Sequence, residues 1–261
     1  MVKFICNSGE KLINSSVILL SLFLGVTSGL VQADEIDDFL LAKMAKKKIP
    51  GLQIAIIRDN QIIKSSSYGV ANVQHGAAIN QDTVFSIASM TKGFTGVAIM
   101  QLVEQDKLVL DASISTYLTD LPLSWQAITV RQLLNHTSGL PDIVMDELKL
   151  IDPRGGQQSW ELVQQLALEA KPNTQVKYNQ TNYALLGKII DKVSGQPFAE
   201  FIDQYQLQKV AMQKTSAAGF GYQGYVVPNL SGFYTYDSGG KMRNLSPSIP
   251  PFLAPAASMN S

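Results

Sequence analysis

A serine followed three residues later by a lysine is the pattern in this sequence with the clearest chemical potential. The pattern occurs three times, as Ser8/Lys11, Ser89/Lys92 and Ser238/Lys241. On a helix, residues i and i+3 lie side by side with Cβ atoms about 5–6 Å apart, so the lysine amine can reach the serine hydroxyl. Because a desolvated lysine has a lowered pKa, it can accept the serine proton and make the serine a nucleophile.

The surroundings of the three pairs favour Ser89 and Lys92. Ser8 lies in an N-terminal leader, and the two glycines between Ser238 and Lys241 oppose a helical turn. Ser89 instead follows an extended segment, 83–85, and opens a helix indicated by apolar periodicity over 94–110. A helix N-terminus carries about half a positive charge, which favours an alkoxide and disfavours an ammonium. Taken alone, the same four residues also fit an N-capping serine with a surface lysine.

A helix, a hairpin and a helical block would position these residues. Residues 34–48 form a predicted helix, and 52–57 and 61–68 form predicted strands joined by a turn at residues 58–60 (RDN). Further helices are predicted after the capping box of Thr129 and Gln132, over 159–170 and 184–193, and from Pro197. This order predicts an α+β fold, with an antiparallel sheet and a helical lobe over approximately residues 94–210.

Five blocks of sequence carry a resemblance to a known family. The blocks are Ile49 to Gly51 (IPG), Asp82 to Lys92 (DTVFSIASMTK), Leu108 to Asp111 (LVLD), Ile128 to Leu140 (ITVRQLLNHTSGL) and Tyr183 to Gly187 (YALLG). Together they resemble the class C β-lactamase-related serine hydrolases, which include penicillin-binding proteins, D-alanyl-D-alanine carboxypeptidases and esterases. The resemblance implies a β-lactamase/transpeptidase-like fold, in which helices flank an antiparallel sheet beside a helical domain.

The resemblance also implies roles for two residues of a second motif. The family's Tyr-x-Asn matches residues 178–180 (YNQ), so Tyr178 is a candidate for proton transfer beside Ser89 and Lys92. Gln180 stands where the family has Asn. It keeps the amide on a side chain one methylene longer, and we expect it to orient substrate. The predicted catalytic residues are therefore Ser89, Lys92 and Tyr178, and the predicted substrate-binding residue is Gln180.

A third family motif has no match in this sequence. The resemblance implies a Lys- or His-x-Gly strand that supplies one of two oxyanion N–H donors, while the nucleophile's own residue supplies the other. Residues 214–216 (KTS) are a near miss, and 254–261 resemble a segment that precedes further family residues. We therefore expect the C-terminal strands of the domain to be missing, and turnover by this chain to be weak.

Composition and the remaining motifs argue against several other classes of protein. The 261 residues are 46% hydrophobic and carry no formal net charge, so no nucleic-acid surface is indicated. Two histidines and one cysteine provide too few ligands for zinc, and we expect no cofactor and no metal. We expect His75 to face solvent and His136 to bind loop backbone near the site. The string GFGYQG at 219–224 fits a dinucleotide fingerprint but opens no helix, so we interpret it as a loop.

The N-terminus has the pattern of a secretory leader. Lys3 and Lys11 precede ten apolar residues, 17–26, and Ala33 ends a small-residue stretch suited to signal peptidase. The alternative, a membrane anchor, is less favoured because a spanning helix needs about 20 apolar residues. We expect an exported protein, periplasmic or secreted, with no stable anchor after cleavage. Loss of residues 1–33 would also remove Cys6, the single cysteine.

Three functions stay open at this point. The first is acyl transfer from an amide, ester or β-lactam carbonyl to Ser89, followed by hydrolysis. The second is a non-catalytic domain that binds penicillin or peptide. The third is a truncated product that is catalytically weak or inactive.

We predict that the exported protein begins at Asp34, because cleavage after Ala33 would follow the short apolar run. Mass spectrometry of the periplasmic or secreted protein gives this N-terminus directly. Ala33→Trp should leave the leader attached, since signal peptidase requires a small residue at that position. An intact Met1 on the exported wild-type chain would contradict the prediction.

Overall fold

The computed structural model describes residues 27–144, 155–220, 226–245 and 253–261. The chain divides into two units, one ending at Gln81 and the other beginning at Asp82. Within the described ranges no helix is long and apolar enough to cross a membrane. The Ser8/Lys11 pair, the apolar run 17–26 and most of the GFGYQG string lie outside these ranges.

The N-terminal unit consists of a helix and a three-stranded antiparallel sheet. Its elements are α1 (Thr27–Lys47), β1 (Gly51–Arg58), β2 (Gln61–Asn72) and β3 (Ala77–Ala78), with the strands paired in the order β1-β2-β3. Asp59 and Asn60 have φ of 50° and 61°, typical of a primed two-residue turn whose twist matches the strands. The predicted hairpin is therefore confirmed. Helix α1 is already helical at Thr27, earlier than the predicted start at residue 34. Between these two residues Gly29 is the only poor helix former of the glycine or proline type.

One charged contact joins the helix of this unit to its sheet. The carboxylate of Asp37 on α1 forms an ion pair with Lys64 and accepts a hydrogen bond from the Tyr68 hydroxyl, both on β2. These contacts lower the pKa of Asp37 from its usual value, first through the hydrogen bond with Lys64. Asp37 thereby fixes α1 over one face of β2.

The second unit is mainly helical. Its helices are α2 (Thr91–Glu104), α3 (Val130–Leu134), α4 (Gly155–Gln164), α5 (Gln180–Ser194), α6 (Phe198–Ile202), α7 (Gln213–Ala218) and α8 (Ala254–Ala257). Strands β4 (Phe233–Tyr236) and β5 (Met242–Leu245) form an antiparallel hairpin. Short 3₁₀ turns occur at Ala88–Met90, Ile114–Thr116, Leu123–Trp125 and Gln208–Val210, and a π turn spans Asp203–Leu207.

Helix α5 is the best-buried element of the helical core. Leu185, Leu186, Ile189 and Ile190 are fully buried, and α5 packs against α2, α3 and α8. Each such side chain contributes about 1.5–3 kcal/mol through burial. Gly195 ends the helix with a φ of 72°, a left-handed conformation that glycine adopts without strain. The core therefore fixes the position of the first turn of α5, which carries Gln180.

Helix α2 ends earlier than its apolar periodicity indicates. It stops at Glu104 rather than at residue 110, because Asp106 adopts a φ of 56° and the Lys107 N–H returns to the Leu102 carbonyl. Leu108 is nevertheless buried in the core. Leu108 lies beyond the helix, yet its buried side chain has the spacing expected of a helical residue. The apolar pattern of the sequence is therefore the same for this turn as for a longer helix.

Helix α4 is also displaced from its prediction. It spans Gly155–Gln164 rather than 159–170. The N–H groups of Glu169 and Ala170 both donate to the Gly139 carbonyl, at 2.8 and 3.4 Å, which draws this part of the chain away from helical geometry. A contact between distant segments therefore ends the helix.

Two local predictions in this unit are confirmed. Thr129 and Gln132 form the predicted capping box, with each side chain bonded to the other residue's backbone N–H. Ser238 and Lys241 lie in the turn of the β4–β5 hairpin, where the Asp237 carboxylate accepts from the N–H of Gly239 and of Lys241. This Ser-x-x-Lys pair is not helical, as the intervening glycines predicted.

Candidate active site

Ser89 lies in a 3₁₀ turn immediately before α2. The turn spans Ala88–Met90 and α2 begins at Thr91, so the serine precedes the α-helix that the sequence was expected to begin with it. Residues i and i+3 eclipse each other in 3₁₀ geometry, and Lys92 Nζ lies 3.3 Å from Ser89 Oγ. Ala88 has a φ of 44°, which alanine rarely adopts, so the backbone is strained next to the serine.

The amine of Lys92 is buried among neutral oxygen atoms. Besides Ser89, it donates to Gln180 Oε1 at 2.8 Å and to the Ala256 carbonyl at 2.7 Å. No ion pair found in the described ranges involves Lys92, which is 8% exposed. Burial lowers the pKa of Lys92, and its interactions with Tyr178 and Asp142 offset this only in part. A larger fraction of this amine is therefore neutral than in an exposed lysine.

Tyr178 approaches the serine from a different segment of the chain. Its hydroxyl donates to Ser89 Oγ at 2.9 Å, and Lys92 Nζ lies 4.8 Å from the centroid of its ring. Burial raises the pKa of Tyr178, but hydrogen bonds with Lys92 and Ser89 and the charge of Lys92 together lower it below its usual value. The phenol can therefore release its proton more readily than a free tyrosine.

The structure places all four predicted site residues together. Gln180 is the first residue of α5, and its amide oxygen contacts Lys92. Ser89 is exposed to solvent and the side chain of Tyr178 is 52% exposed, whereas Lys92 is enclosed. A substrate can therefore reach the serine while the amine stays desolvated. The roles of the four residues in catalysis and substrate binding stay predictions.

His136 holds the segment that carries Tyr178. Its Nδ1 accepts from the Asn179 N–H at 3.3 Å and lies 3.0 Å from Nδ2 of Asn182, so the ring proton is on Nε2. The ring packs on Tyr178 with centroids 4.5 Å apart. Burial, and then the charge of Lys92, lower the pKa of His136 to about 4, so the ring is neutral near pH 7. The expectation that this histidine binds loop backbone near the site is confirmed.

Asp142 is a site neighbour that sequence reasoning missed. Its Oδ1 accepts from the N–H of Gln180 at 3.0 Å and of Val144 at 3.1 Å, which joins the loop after Pro141 to the first turn of α5. Burial raises the pKa of Asp142, and these two hydrogen bonds counteract the shift only in part. The sequence offered only a Pro-Asp pair, typical of turns and without indication of its partner.

The backbone of residues 253–261 is the second contribution that the sequence did not indicate. In addition to the Ala256 carbonyl on Lys92, the Pro255 carbonyl accepts from the Thr95 hydroxyl at 2.6 Å. The Met259 N–H donates to Thr91 Oγ1 at 3.1 Å. These contacts use backbone carbonyl and N–H groups, which nearly every residue has, so the amino-acid sequence could not have indicated them.

The other candidates lie away from this cluster. His75 is exposed, as predicted. Among the described residues no group of histidine, cysteine and carboxylate side chains is placed to hold a metal ion. A cavity of about 600 Å³ lies elsewhere on the helical unit, lined in part by Tyr117, Trp160 and Lys188, and none of the four predicted site residues borders it.

Comparison with known proteins identifies the family. A family model described as Beta-lactamase matches residues 36–224. The chain belongs to the β-lactamase family. Protein flp of Staphylococcus aureus (strain MW2) is 28% identical over 194 residues, which are 72% of this chain and 39% of that protein. Penicillin-binding protein 4* of Bacillus subtilis (strain 168) is 31% identical over 159 residues, which are 59% of this chain and 35% of that protein. The chain thus spans less than two fifths of the length of these curated relatives.

Solved structures of the β-lactamase family share the fold. The octameric penicillin-binding protein homologue from Pyrococcus abyssi is 28% identical with a TM-score of 0.69, covering 87% of this chain and 53% of that chain. The penicillin binding protein from Bacillus halodurans is 25% identical with a TM-score of 0.70, covering 85% and 69%. A class C β-lactamase, 23% identical, has a TM-score of 0.70 over 89% of this chain and 62% of that one. The predicted α+β, β-lactamase/transpeptidase-like fold is therefore confirmed.

We predict that protonation of His136 destabilises the folded chain between pH 6.5 and about 4. The unfolded histidine binds its proton near pH 6.5 and the folded one only near 4, so stability is full above 6.5 and falls through this window. Because the ring is partly exposed, we expect a loss of about 1–2 kcal/mol rather than the full linkage value.

The measurement is urea unfolding from pH 4 to 7 of the wild type beside His136→Asn. Asparagine keeps an acceptor near the position of Nδ1, does not titrate, and tolerates the φ of 59° at this residue. Both proteins contain the same carboxylates, so the difference between their free energies of unfolding at each pH isolates the contribution of His136. Parallel curves for the two proteins would show that His136 does not carry the effect.

Proposed function

We propose that this chain is a serine hydrolase that forms an acyl-enzyme on Ser89 with an amide, ester or β-lactam carbonyl. One observation carries the proposal: Ser89 Oγ lies within hydrogen-bond distance of both a buried amine and a phenol whose pKa values are lowered. Membership of the β-lactamase family supports it. The 31% identity to a protein named as a penicillin-binding protein supports the inclusion of β-lactams among the acyl donors.

In the acylation step Lys92 acts as the general base. A neutral amine has two N–H donors and one lone pair. Gln180 Oε1 and the Ala256 carbonyl, at 2.8 and 2.7 Å, accept the two N–H bonds, so the lone pair faces Ser89 Oγ. The serine proton passes to Nζ as Oγ bonds to the substrate carbonyl carbon, which becomes tetrahedral.

Tyr178 supplies the proton that the leaving group needs. Its hydroxyl already points at Ser89 Oγ, where the scissile bond would lie. As the tetrahedral intermediate collapses, the phenol proton passes to the departing nitrogen or oxygen, and the ammonium of Lys92 restores the phenol. Water then attacks the Ser89 ester and gives up one proton to the neutral amine of Lys92. That proton returns to Oγ as the acid product leaves.

The export predicted from the N-terminal sequence forms part of this proposal. An exported enzyme would meet peptide, ester or β-lactam substrates outside the cytoplasm. The sequence has a single cysteine, Cys6, so the chain can form no internal disulfide, and its fold does not depend on one in that environment.

We predict that a fluorophosphonate or β-lactam probe covalently labels Ser89 and no other serine. Peptide mapping by mass spectrometry locates the label, and Ser89→Ala should abolish it. Ser238→Ala is the matched control, because Ser238 belongs to the other Ser-x-x-Lys pair of the second unit, in the β4–β5 turn. Its labelling should equal that of the wild type. Probe binding without a covalent label would favour the non-catalytic binding domain instead.

We predict that Tyr178→Phe slows acylation of Ser89 by about 10²–10⁴-fold, the usual contribution of a positioned proton donor. Stopped-flow acylation by a p-nitroanilide, whose departing nitrogen must take up a proton, measures this rate. Tyr183→Phe is the control, because the Tyr183 ring lies 5.3 Å from Lys92 Nζ while its hydroxyl donates to the Leu134 carbonyl, at 3.4 Å, and not to Ser89. Equal rates for the two variants would exclude the proposed role of the phenol.

A further inference from the structure

Helix α8 contacts both α5 and α2, the helix that carries Lys92. On one side, the carbonyls of its residues Pro255 and Ala256 accept hydrogen bonds from Thr95 and Lys92 of α2. On the other side, the ring of Pro255 lies against α5 at Gly187. The position of the carbonyl that contacts Lys92 therefore depends on how closely α8 approaches α5.

Gly187 permits this close approach. A Cβ atom at residue 187 would overlap Cγ of Pro255, with Cβ and Cδ of the same ring at 3.0 and 3.3 Å. Gly187 lies in the interior of α5, where glycine weakens a helix relative to alanine. Gly195, at the end of the helix, has a left-handed conformation that favours glycine. Gly187 does not, so its backbone conformation does not explain why a glycine occupies this position. Close packing against Pro255 is the feature that requires the missing side chain.

We propose that Gly187 is a positioning residue for the Ser89 reaction. Because it has no side chain, it leaves room for the Pro255 ring, and this close packing places the Ala256 carbonyl where it accepts a hydrogen bond from the Lys92 amine. The inference rests on the proposed function, in which that carbonyl and Gln180 take the two N–H bonds of neutral Lys92. If the carbonyl moves away, one N–H loses its acceptor and the amine can rotate. The lone pair then faces Ser89 for only part of the time, and a misplacement of about 1 Å can cost 10²-fold in rate.

The test compares acylation rates per active site in the full chain. Sites are counted by complete labelling with a fluorophosphonate, and the maximal rate and half-saturating concentration are measured with a p-nitrophenyl ester. For Gly187→Ala we expect the maximal acylation rate per site to fall about 10–100-fold, with the half-saturating concentration unchanged. Gly96→Ala is the matched control. Gly96 is a helical glycine of α2 where an added Cβ meets nothing within 4 Å, so its rate should equal that of the wild type.

A second substitution tests whether the effect passes through Pro255. Pro255→Ala removes the Cγ and Cδ atoms that an alanine at 187 would meet, and keeps the carbonyl that Thr95 contacts. Gly187→Ala combined with Pro255→Ala should therefore recover a rate within about threefold of Pro255→Ala alone, as expected for two residues in direct contact. A general loss of stability would lower the melting temperature and the number of sites, but not the rate per site.

The outcomes separate this inference from the proposed function. If the wild type labels at Ser89 and Gly187→Ala acylates at the wild-type rate per site, the inference is wrong and the proposed function stands. A loss that Pro255→Ala does not recover also overturns it. If Gly187→Ala yields no sites, recovery of sites and rate in the double variant supports the inference, and failure to recover them overturns it. If the wild type does not label at all, the proposed function falls and the inference falls with it.

Discussion

Burial of the Lys92 amine among neutral oxygen atoms is the constraint that the arrangement of this site depends on. A buried ammonium that forms no ion pair within the described residues is costly, so burial lowers the pKa of this amine. The three oxygen atoms come from three separate segments: the 3₁₀ turn at Ser89, the first turn of α5 at Gln180, and α8 at Ala256. Each segment must be fixed by its own packing, because a shift of any one of them would leave an N–H group unsatisfied or admit water.

Helix α5 supplies much of that fixation. Its apolar face is fully buried, and its N-terminal turn is hydrogen-bonded to residues 138–142. Asn179 caps the helix through the Asn182 N–H, the Thr181 hydroxyl donates to the Pro141 carbonyl, and Ser138 donates to Asn182 Oδ1. Because these polar groups are buried and paired with one another, they give the turn a single arrangement. Tyr178, one residue before the cap, acquires a defined position although half of its side chain faces solvent.

The serine and the lysine have opposite requirements, and the junction between the 3₁₀ turn and α2 satisfies both. Ser89 must be open to a substrate, whereas Lys92 must be shielded from water. A spacing of three residues keeps the two side chains in contact while the chain passes from the exposed turn into the buried face of α2. The left-handed conformation of Ala88 costs about 1–2 kcal/mol. The Phe85 and Ile87 backbone pairs with Ser261 and Met259 hold the segment in place against that cost.

The sequence by itself determined the features that depend on near neighbours along the chain. These are the Ser89–Lys92 spacing, the hairpin over 52–68, the Thr129–Gln132 capping box and the helix at 184–193, and the motif blocks were sufficient to indicate the family. Helix α2 ends in a local left-handed turn at Asp106 that its apolar periodicity did not indicate. The end of α4 was decided by tertiary structure, since bonds to the distant Gly139 carbonyl draw the chain out of helical geometry. The same holds for the contacts of Asp142 and Ala256. Asp142 accepts a hydrogen bond from the backbone N–H of Gln180, and the backbone carbonyl of Ala256 accepts one from the Lys92 amine. Both contacts join segments that are far apart in sequence. Each uses a backbone group, which is the same at almost every residue and therefore gives no signal in the sequence. Only the packing of α2, α5 and α8 against one another selects which of them meet.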